Sequence, residues 1–388
     1  MPNLLDKKSL RQFHAGFLSA RVGEWLYVIA LNWLVLVETT SPMLLATINV
    51  CRLLPALLFS VPAGKLADRF ERKNLNRMVA VLNAVLVGLT GLAFALHLPF
   101  LVCALLVVIR AVVIAAEAPF RHAYLCGVLE GDSLKSVVAQ NASVMNFGRI
   151  LGPTLAGFSL AYFGGFATFL LAGALCFVYS LTLNKIPVKS VPEVGPKKEA
   201  RPALIHEIKE RPQVAKLLCF ALPVMFFGFP FTAMLPLFTD LVLHMGAEQL
   251  GALISISAAG ALVASSLLSA KPNHACWKAL KTYTVLFGLS LLGLSASQGF
   301  ATAALALFAV GFFGQGYRTS SRMMYQDLIP KEAAGRLMGV ALMDRGMIPL
   351  GALLVGGVAE VLGARYGFAT MGLGCLVSVA LFKNFRSS

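Results

Sequence analysis

The sequence predicts an all-α membrane protein, with twelve transmembrane helices in two pseudo-symmetric six-helix bundles. Three observations carry that prediction. Of the 388 residues, 58% are hydrophobic and only 13% are charged, more apolar surface than a water-soluble chain can hide, so lipid must be its solvent. Apolar stretches of about 20 residues, the length of one bilayer crossing, recur along the whole chain. A polar interruption at 185–213, rich in Lys, Glu and Pro, divides those stretches six and six.

In order, the apolar stretches cover 13–37, 42–63, 78–96, 99–120, 137–163, 166–183, 214–243, 249–270, 279–297, 300–317, 337–362 and 366–382. Residues 1–11 are polar and basic, and no small-residue cleavage site follows the first stretch. It therefore reads as a retained span, not a signal peptide. The expected domains are an N-terminal bundle at 1–184, a cytoplasmic linker at 185–213 and a C-terminal bundle at 214–388. Within the linker, 203–210 has the pattern of a short amphipathic surface helix.

The loops set the orientation. Lys7, Lys8 and Arg11, the turn at 65–77, Arg121 and Lys135, the run at 185–216, the loop at 271–281, the segment at 318–336, and Lys383 and Arg386 all fall on one side. The other side carries Glu38, His97, Asp240, His244, Glu248, Glu360 and Arg365. By the positive-inside bias both termini are cytoplasmic, in a multi-pass protein of a bacterial inner or plasma membrane. The net charge of +15 has the same origin. Its bases recur at segment ends and form no single stripe, which argues against nucleic acid as a partner.

A short pattern repeats between the halves. Arg121-His122-Ala123-Tyr124 followed by Arg149-Ile150-Leu151-Gly152-Pro153 is echoed by Arg322-Met323-Met324-Tyr325 and Arg345-Gly346-Met347-Ile348-Pro349. Both pairs fall at the fourth-to-fifth span junction of their half, the signature of an internal duplication.

Charges inside spans cost at least about 2.5 kcal/mol each on insertion scales and mark a transport route by default. Arg21 and Glu24 share a face of the first span. Arg52 lies in the second, Arg110 and Glu117 in the fourth, Arg149 in the fifth, and Asp344 and Arg345 in the eleventh. The competing reading makes them internal pairs that lock helices together, with Asp344 close enough to the cytoplasm to be solvated. Arg21, Glu24, Arg110, Glu117, Arg149 and Arg345 are the expected substrate-cavity and proton-coupling set. Five arginines against three carboxylates favour an anionic or polycarboxylate solute, because guanidinium forks grip carboxylates bidentately. Glu24 and Glu117 are the expected proton sites, since burial and a neighbouring arginine act on a carboxyl in opposite directions.

Two further stretches stand out. In the fifth span Gly148, Gly152, Pro153 and Gly157 combine glycines at four- and five-residue spacing with a proline, a pattern for close helix approach and a pliable point. The seventh span places Pro223, Pro230 and Pro236 among Met225, Phe226, Phe227, Phe229, Phe231 and Met234, which suits either a forgiving apolar wall or lipid contact. On the tenth, Gln315, Tyr317 and Arg318 form a polar patch facing either substrate or the cytoplasmic interface.

Several function classes lack their residues. No G-x-x-x-x-G-K-[ST] loop is present, so the chain is not expected to hydrolyse ATP. HExxH, G-x-S-x-G and His/Cys metal spacings are missing too, so neither an enzyme, a metal site nor a cofactor is expected. The seven cysteines contain no CxxC and read as small hydrophobes.

The turn Gly64-Lys65-Leu66-Ala67-Asp68-Arg69-Phe70-Glu71-Arg72-Lys73-Asn74 resembles the signature loop of the major facilitator superfamily, with Glu71 where glycine is usual. Phe70-Glu71 is similar to the branch that includes macrolide efflux proteins and the enterobactin exporter. Gly23-Glu24-Trp25, Ala118-Pro119, the Gly152-Pro153 segment, Ala334-Gly335-Arg336-Leu337-Met338-Gly339 and Pro349-Leu350-Gly351 agree with it. The resemblance implies the major facilitator fold and a conformational gate at Gly64, Asp68, Arg69 and Arg72, with Asp68 tethering helix ends. It also links Arg110 to proton transfer and gives Gly148, Gly152, Pro153 and Gly157 antiporter-type packing. The loop at 271–277 has lost the signature. The function so implied is secondary active export of a small, anionic organic molecule such as a siderophore by proton antiport with alternating access. A broad macrolide-type drug efflux pump is the alternative, followed by a lysophospholipid flippase or importer. The partners expected are the small-molecule substrate, the proton and membrane lipids, with the chain acting as a monomer.

Overall fold

A computed structural model of the chain describes residues 7–67, 72–118, 120, 121, 125, 131–184, 211–269, 276–329 and 343–382. Among these residues the structure is helical, with no strand. The helices are α1 (Lys7–Thr39), α2 (Pro42–Ala67), α3 (Arg72–Ala95), α4 (Phe100–Ala115), α5 (Gly131–Asn184), α6 (Pro212–Gly228), α7 (Phe231–Leu241), α8 (Ala247–Ser269), α9 (Trp277–Ala296), α10 (Phe300–Leu328), α11 (Met347–Leu362) and α12 (Ala364–Leu381). A 3₁₀ turn, Met343–Gly346, leads into α11.

Nine helical segments among the described residues are long and apolar enough to cross a membrane. One of them, Gln140–Leu183, is 44 residues long and breaks at Gly164, whose φ of 78° and ψ of 176° favour a residue without Cβ. Counting its two arms separately and adding the shorter apolar helices Pro42–Pro55 and Phe100–Ala115 gives twelve candidate crossings among the described residues. Exposed Leu101, Leu305, Val361 and Leu381 form the kind of surface that lipid, not water, solvates.

Helix ends follow local chemistry. Gly363, at φ 99°, closes α11 and starts α12. Thr40, His97 and His244 adopt φ of 52°, 50° and 53° just beyond α1, α3 and α7, the left-handed turn that commonly ends a helix. The stretch expected as one span at 214–243 divides into α6 and α7 at Phe229 and Pro230, where proline supplies no amide hydrogen for the ladder. At its C-terminal end α10 runs well past the expected limit of 317. Its last turns bury Tyr317, Ser320, Ser321, Met324 and Tyr325 while Arg322, Gln326 and Asp327 are exposed, so hydropathy ended there although helical periodicity did not.

The chain forms two compact units. Unit 1 comprises Met1–Glu38, Cys51–Gly195 and Gly246–Ser255. Within it Phe13, Phe17 and Tyr179 pack ring on ring in a core shared with Ala20, Ala80, Val137 and Leu183. Tyr179 also accepts from Asn76 at 3.3 Å, and Phe169 of α5 stacks on Phe94 of α3.

Unit 2 comprises Thr39–Val50, Pro196–Met245 and Ile256–Ser388. Phe287 of α9 is at its centre, against Phe229 and Phe231, with Phe238 against Phe368. In the same unit the Glu360 carboxylate of α11 accepts from Ser41 Oγ at 3.1 Å and from the Met43 amide at 3.0 Å. It thereby satisfies an orphan donor at the start of α2.

Candidate functional site

The polar centre of unit 1 grows from one face of α1. Phe17, Arg21, Glu24 and Tyr27 follow one another at steps of four, three and three, so their side chains lie along one stripe of the helix. Opposite stands Arg110 of α4, whose side chain is 1% exposed. Its guanidinium donates to the Glu24 carboxylate and lies 3.7 Å from the centre of the Tyr27 ring, so a carboxylate and an aromatic face share its charge.

Glu117, just beyond α4, accepts from Arg21 at 2.6 Å and from Arg121 at 2.5 Å. Both guanidiniums also sit over the Phe17 ring, at 5.2 and 4.3 Å. Arg21 and Glu24, neighbours on one helix, thus bond different partners. Arg52 of α2 interacts electrostatically with Glu24 and Tyr27, and Glu24 also feels Arg21. Four guanidiniums against two carboxylates leave two positive charges in excess within this cluster. Among the described residues the Nε groups of Arg21 and Arg110 are buried without a hydrogen-bond partner, so donors remain for a solute.

Arg149, on α5, has no ion-pair partner among the described residues and is half-buried. Beside it, a Cβ on Gly148 would lie 2.9 Å from Cβ of Arg21, and one on Gly152 would lie 2.6 Å from Cβ of Trp25. A Cβ on Gly157 would meet the Ala247 carbonyl and, at 3.1 Å, Gly251 Cα. The glycine stripe therefore lets α5 press against α1 at two levels and against the start of α8 at a third. Pro153 lies inside α5, and the Ser255 hydroxyl donates to the Ile150 carbonyl at 2.7 Å. The matching proline of the second half, Pro349, sits instead in the first turn of α11.

Arg345 belongs to unit 2, exposed on the 3₁₀ turn. Its neighbour Asp344 is 6% exposed. On α10, Arg318 lies 4.1 Å from the Phe229 ring centre, and Gln315 donates to Thr319 at 3.3 Å. Of the expected gate, Asp68 and Arg69 lie outside the described residues; Gly64 and Arg72 fall in α2 and α3. Among the described residues no three His, Cys, Asp or Glu side chains gather to hold a metal ion.

Three members of the unit 1 cluster were not in the expected set: Tyr27, Arg52 and Arg121. Each carried a local signal. Tyr27 stands one turn beyond Glu24, Arg52 was a charge inside a span, and Arg121 follows Glu117 at i+4, the spacing of a helical ion pair.

Residues 13–346 match the family model of the Major Facilitator Superfamily. The chain is 30% identical over 373 residues to the staphyloferrin A transporter of Staphylococcus aureus, covering 94% of this chain and 93% of that protein. It is 23% identical to the multidrug efflux pump Tap of Mycolicibacterium fortuitum, covering 93% and 91% of the two chains. The crystal structure of the nucleoside transporter NupG superposes with a TM-score of 0.80 at 11% identity, over 98% of this chain and 100% of that one.

Proposed function

Because this chain belongs to the Major Facilitator Superfamily, we propose that it is a secondary active transporter exporting a small anionic organic molecule, a siderophore, in exchange for protons. The observation that carries the anionic class is the excess of guanidinium in unit 1. Among the described residues Arg21, Arg52, Arg110 and Arg121 surround Glu24 and Glu117, and Arg21 and Arg110 each keep a buried Nε donor unused. A solute carboxylate entering there replaces a protein carboxylate on a fork already held in position, so little side-chain ordering is left to oppose binding. Similarity to a staphyloferrin A transporter supports the siderophore class. Arg149 adds an arginine with no ion-pair partner among the described residues, and unit 2 carries Arg345 beside Asp344.

In this reading the protein acts as a monomer by alternating access, with six-helix halves at 1–184 and 214–388 joined by the linker at 185–213. Both termini are cytoplasmic, and the turn at 64–74 is the gate through Asp68. The α5 glycines and Pro153 let helices slide at close range. A second reading, a broad drug efflux pump, is favoured by the similarity to Tap and by the aromatic run of α6 and α7.

The test is flux of staphyloferrin A from proteoliposomes holding the full chain, with a lipophilic cationic dye in parallel. Proton-driven flux of the anion alone supports the first reading. Movement of the dye without the anion supports the second. A deletion strain that still secretes its siderophore normally under iron starvation would remove the export role.

A further inference from the structure

The two carboxylates that tie α1 to the fourth span are not equally supported. Glu117 is held twice, by Arg21 at 2.6 Å and by Arg121 at 2.5 Å. Among the described residues the ion-pair partner of Glu24 is Arg110 alone. Arg21 stands within reach of both carboxylates. Glu24 is three residues on along the same helix, and side chains at that spacing are neighbours on one face, about 5–6 Å apart at Cβ. The Arg21 side chain is 19% exposed against 1% for Arg110, so it has more room to change partner. The Phe17 ring lies under both guanidiniums of the Glu117 site, 4.3 Å from Arg121 and 5.2 Å from Arg21. Arg121 therefore has the closer seat on the aromatic face.

A solute anion that takes Arg110 strips Glu24 of its ion pair. Left in a low-dielectric setting without a cation, a carboxylate binds a proton, and anion and proton would then enter together, the linkage of cotransport. Exchange requires that Glu24 keep a cation. Arg21 can supply one at little loss, because Glu117 gives up one of two guanidiniums and retains Arg121. The other groups around Glu24 are Arg52 of α2 and Tyr27 of α1, which act on it electrostatically. From α5 the Cys176 thiol would lie 3.1 Å from a Cβ on Gly23, and Arg149 follows Gly148, where a Cβ would lie 2.9 Å from Cβ of Arg21.

We propose that Arg21 is a positioning residue that crosses from Glu117 to Glu24 when a solute anion occupies Arg110. This rests on the anionic-solute reading above. In the empty site α1 is tied to the fourth span at Arg110 and at Glu117. With solute bound the tie to Glu117 is released, so occupancy in the middle of the span frees α1 at the span's C-terminal end. Charge balances without a proton: Arg110 holds the solute carboxylate, Arg21 holds Glu24 and Arg121 holds Glu117.

Two measurements on the full chain in detergent test it. The first is titration calorimetry with staphyloferrin A at mildly acidic pH, in buffers of different ionisation enthalpy, which counts the protons taken up with the anion. We expect about none in the wild type, about one per anion in Arg21→Gln and about none again in Arg21→Lys. A wild type that takes up a proton, or an Arg21→Gln protein that takes up none, overturns the proposal. A proton gained in Arg52→Gln instead gives the role to Arg52 and overturns it too. The second measurement needs no solute. Double-mutant cycles of unfolding midpoints should find Arg21 coupled to Glu117 in the wild-type background and to Glu24 once Arg110→Gln imitates the occupied site. Coupling that stays with Glu117 overturns the proposal. Should the wild type bind no staphyloferrin A, the anionic reading fails, and the cycles decide the role of Arg21 by themselves.

Discussion

Arg21 of α1 bonds Glu117 at 2.6 Å, across 96 positions of sequence, and leaves Glu24, three residues away on its own helix, to Arg110. That crossed pairing ties α1 to the middle of the fourth span and to its C-terminal end. It also divides the buried charge into two sites, one at Glu24 and one at Glu117.

Removing one partner of a buried pair leaves the other uncompensated, a loss of about 3 kcal/mol or more. Glu117→Gln strands both Arg21 and Arg121, so its unfolding midpoint in detergent should drop clearly below that of the wild type. Exchanging the charges, Arg21→Glu with Glu117→Arg, should regain part of the loss. An unchanged midpoint in the single variant would show that water already solvates the pair.

Arg110 is held by Glu24 and by the face of Tyr27. Lysine keeps the charge but loses the planar fork and most of the stacking. Arg110→Lys should therefore weaken solute binding by about tenfold while the protein still reaches the membrane. Isothermal titration of the purified variant with staphyloferrin A measures it, and wild-type affinity would show that a point charge suffices.

The α5 glycines give a steric prediction of definite sign. A methyl at Gly157 meets backbone of α8, the Ala247 carbonyl and Glu248 Cα among it, so Gly157→Ala should destabilise unit 1 by about 1–3 kcal/mol. A methyl at Gly293 of α9 meets nothing within 4 Å, and Gly293→Ala should stabilise by up to about 1 kcal/mol through helix propensity. Thermal midpoints of the two variants should move in opposite directions.

The charged turn at 64–74 gives a prediction from sequence and family. On the proposal that Asp68 tethers helix ends, Asp68→Asn removes that tether without adding buried charge. Transport should be abolished at normal membrane levels of the protein, as judged by flux and immunoblot together. Wild-type flux would remove the tether role.

Apolar stretches were legible because the bilayer imposes a local demand: each crossing must satisfy its own backbone hydrogen bonds and present apolar side chains over a fixed length. Helix ends were legible only where hydropathy and periodicity stop together. In α10 they do not, since its last turns bury one polar-aromatic face, and the sequence expectation ended at 317. Arg21, Glu24, Arg52, Arg110 and Glu117 announced themselves through the cost of placing them in a span, whereas Arg121 read as a loop base. Tyr27 did not, because an aromatic residue in a span is usually ordinary packing and becomes a cation's partner only when an arginine lies over it.

From composition, spacing and motif alone came the membrane class, the number of crossings, the family and the shortlist of costly charges, since each depends on residues close together in the chain. Which guanidinium meets which carboxylate depends on which helices are neighbours, and chain order does not specify that. The burial of Asp344 on the turn before α11, while Arg345 beside it is exposed, is likewise a consequence of packing. Adjacent residues on a turn point in different directions, and the helix laid against that turn determines which of them loses water.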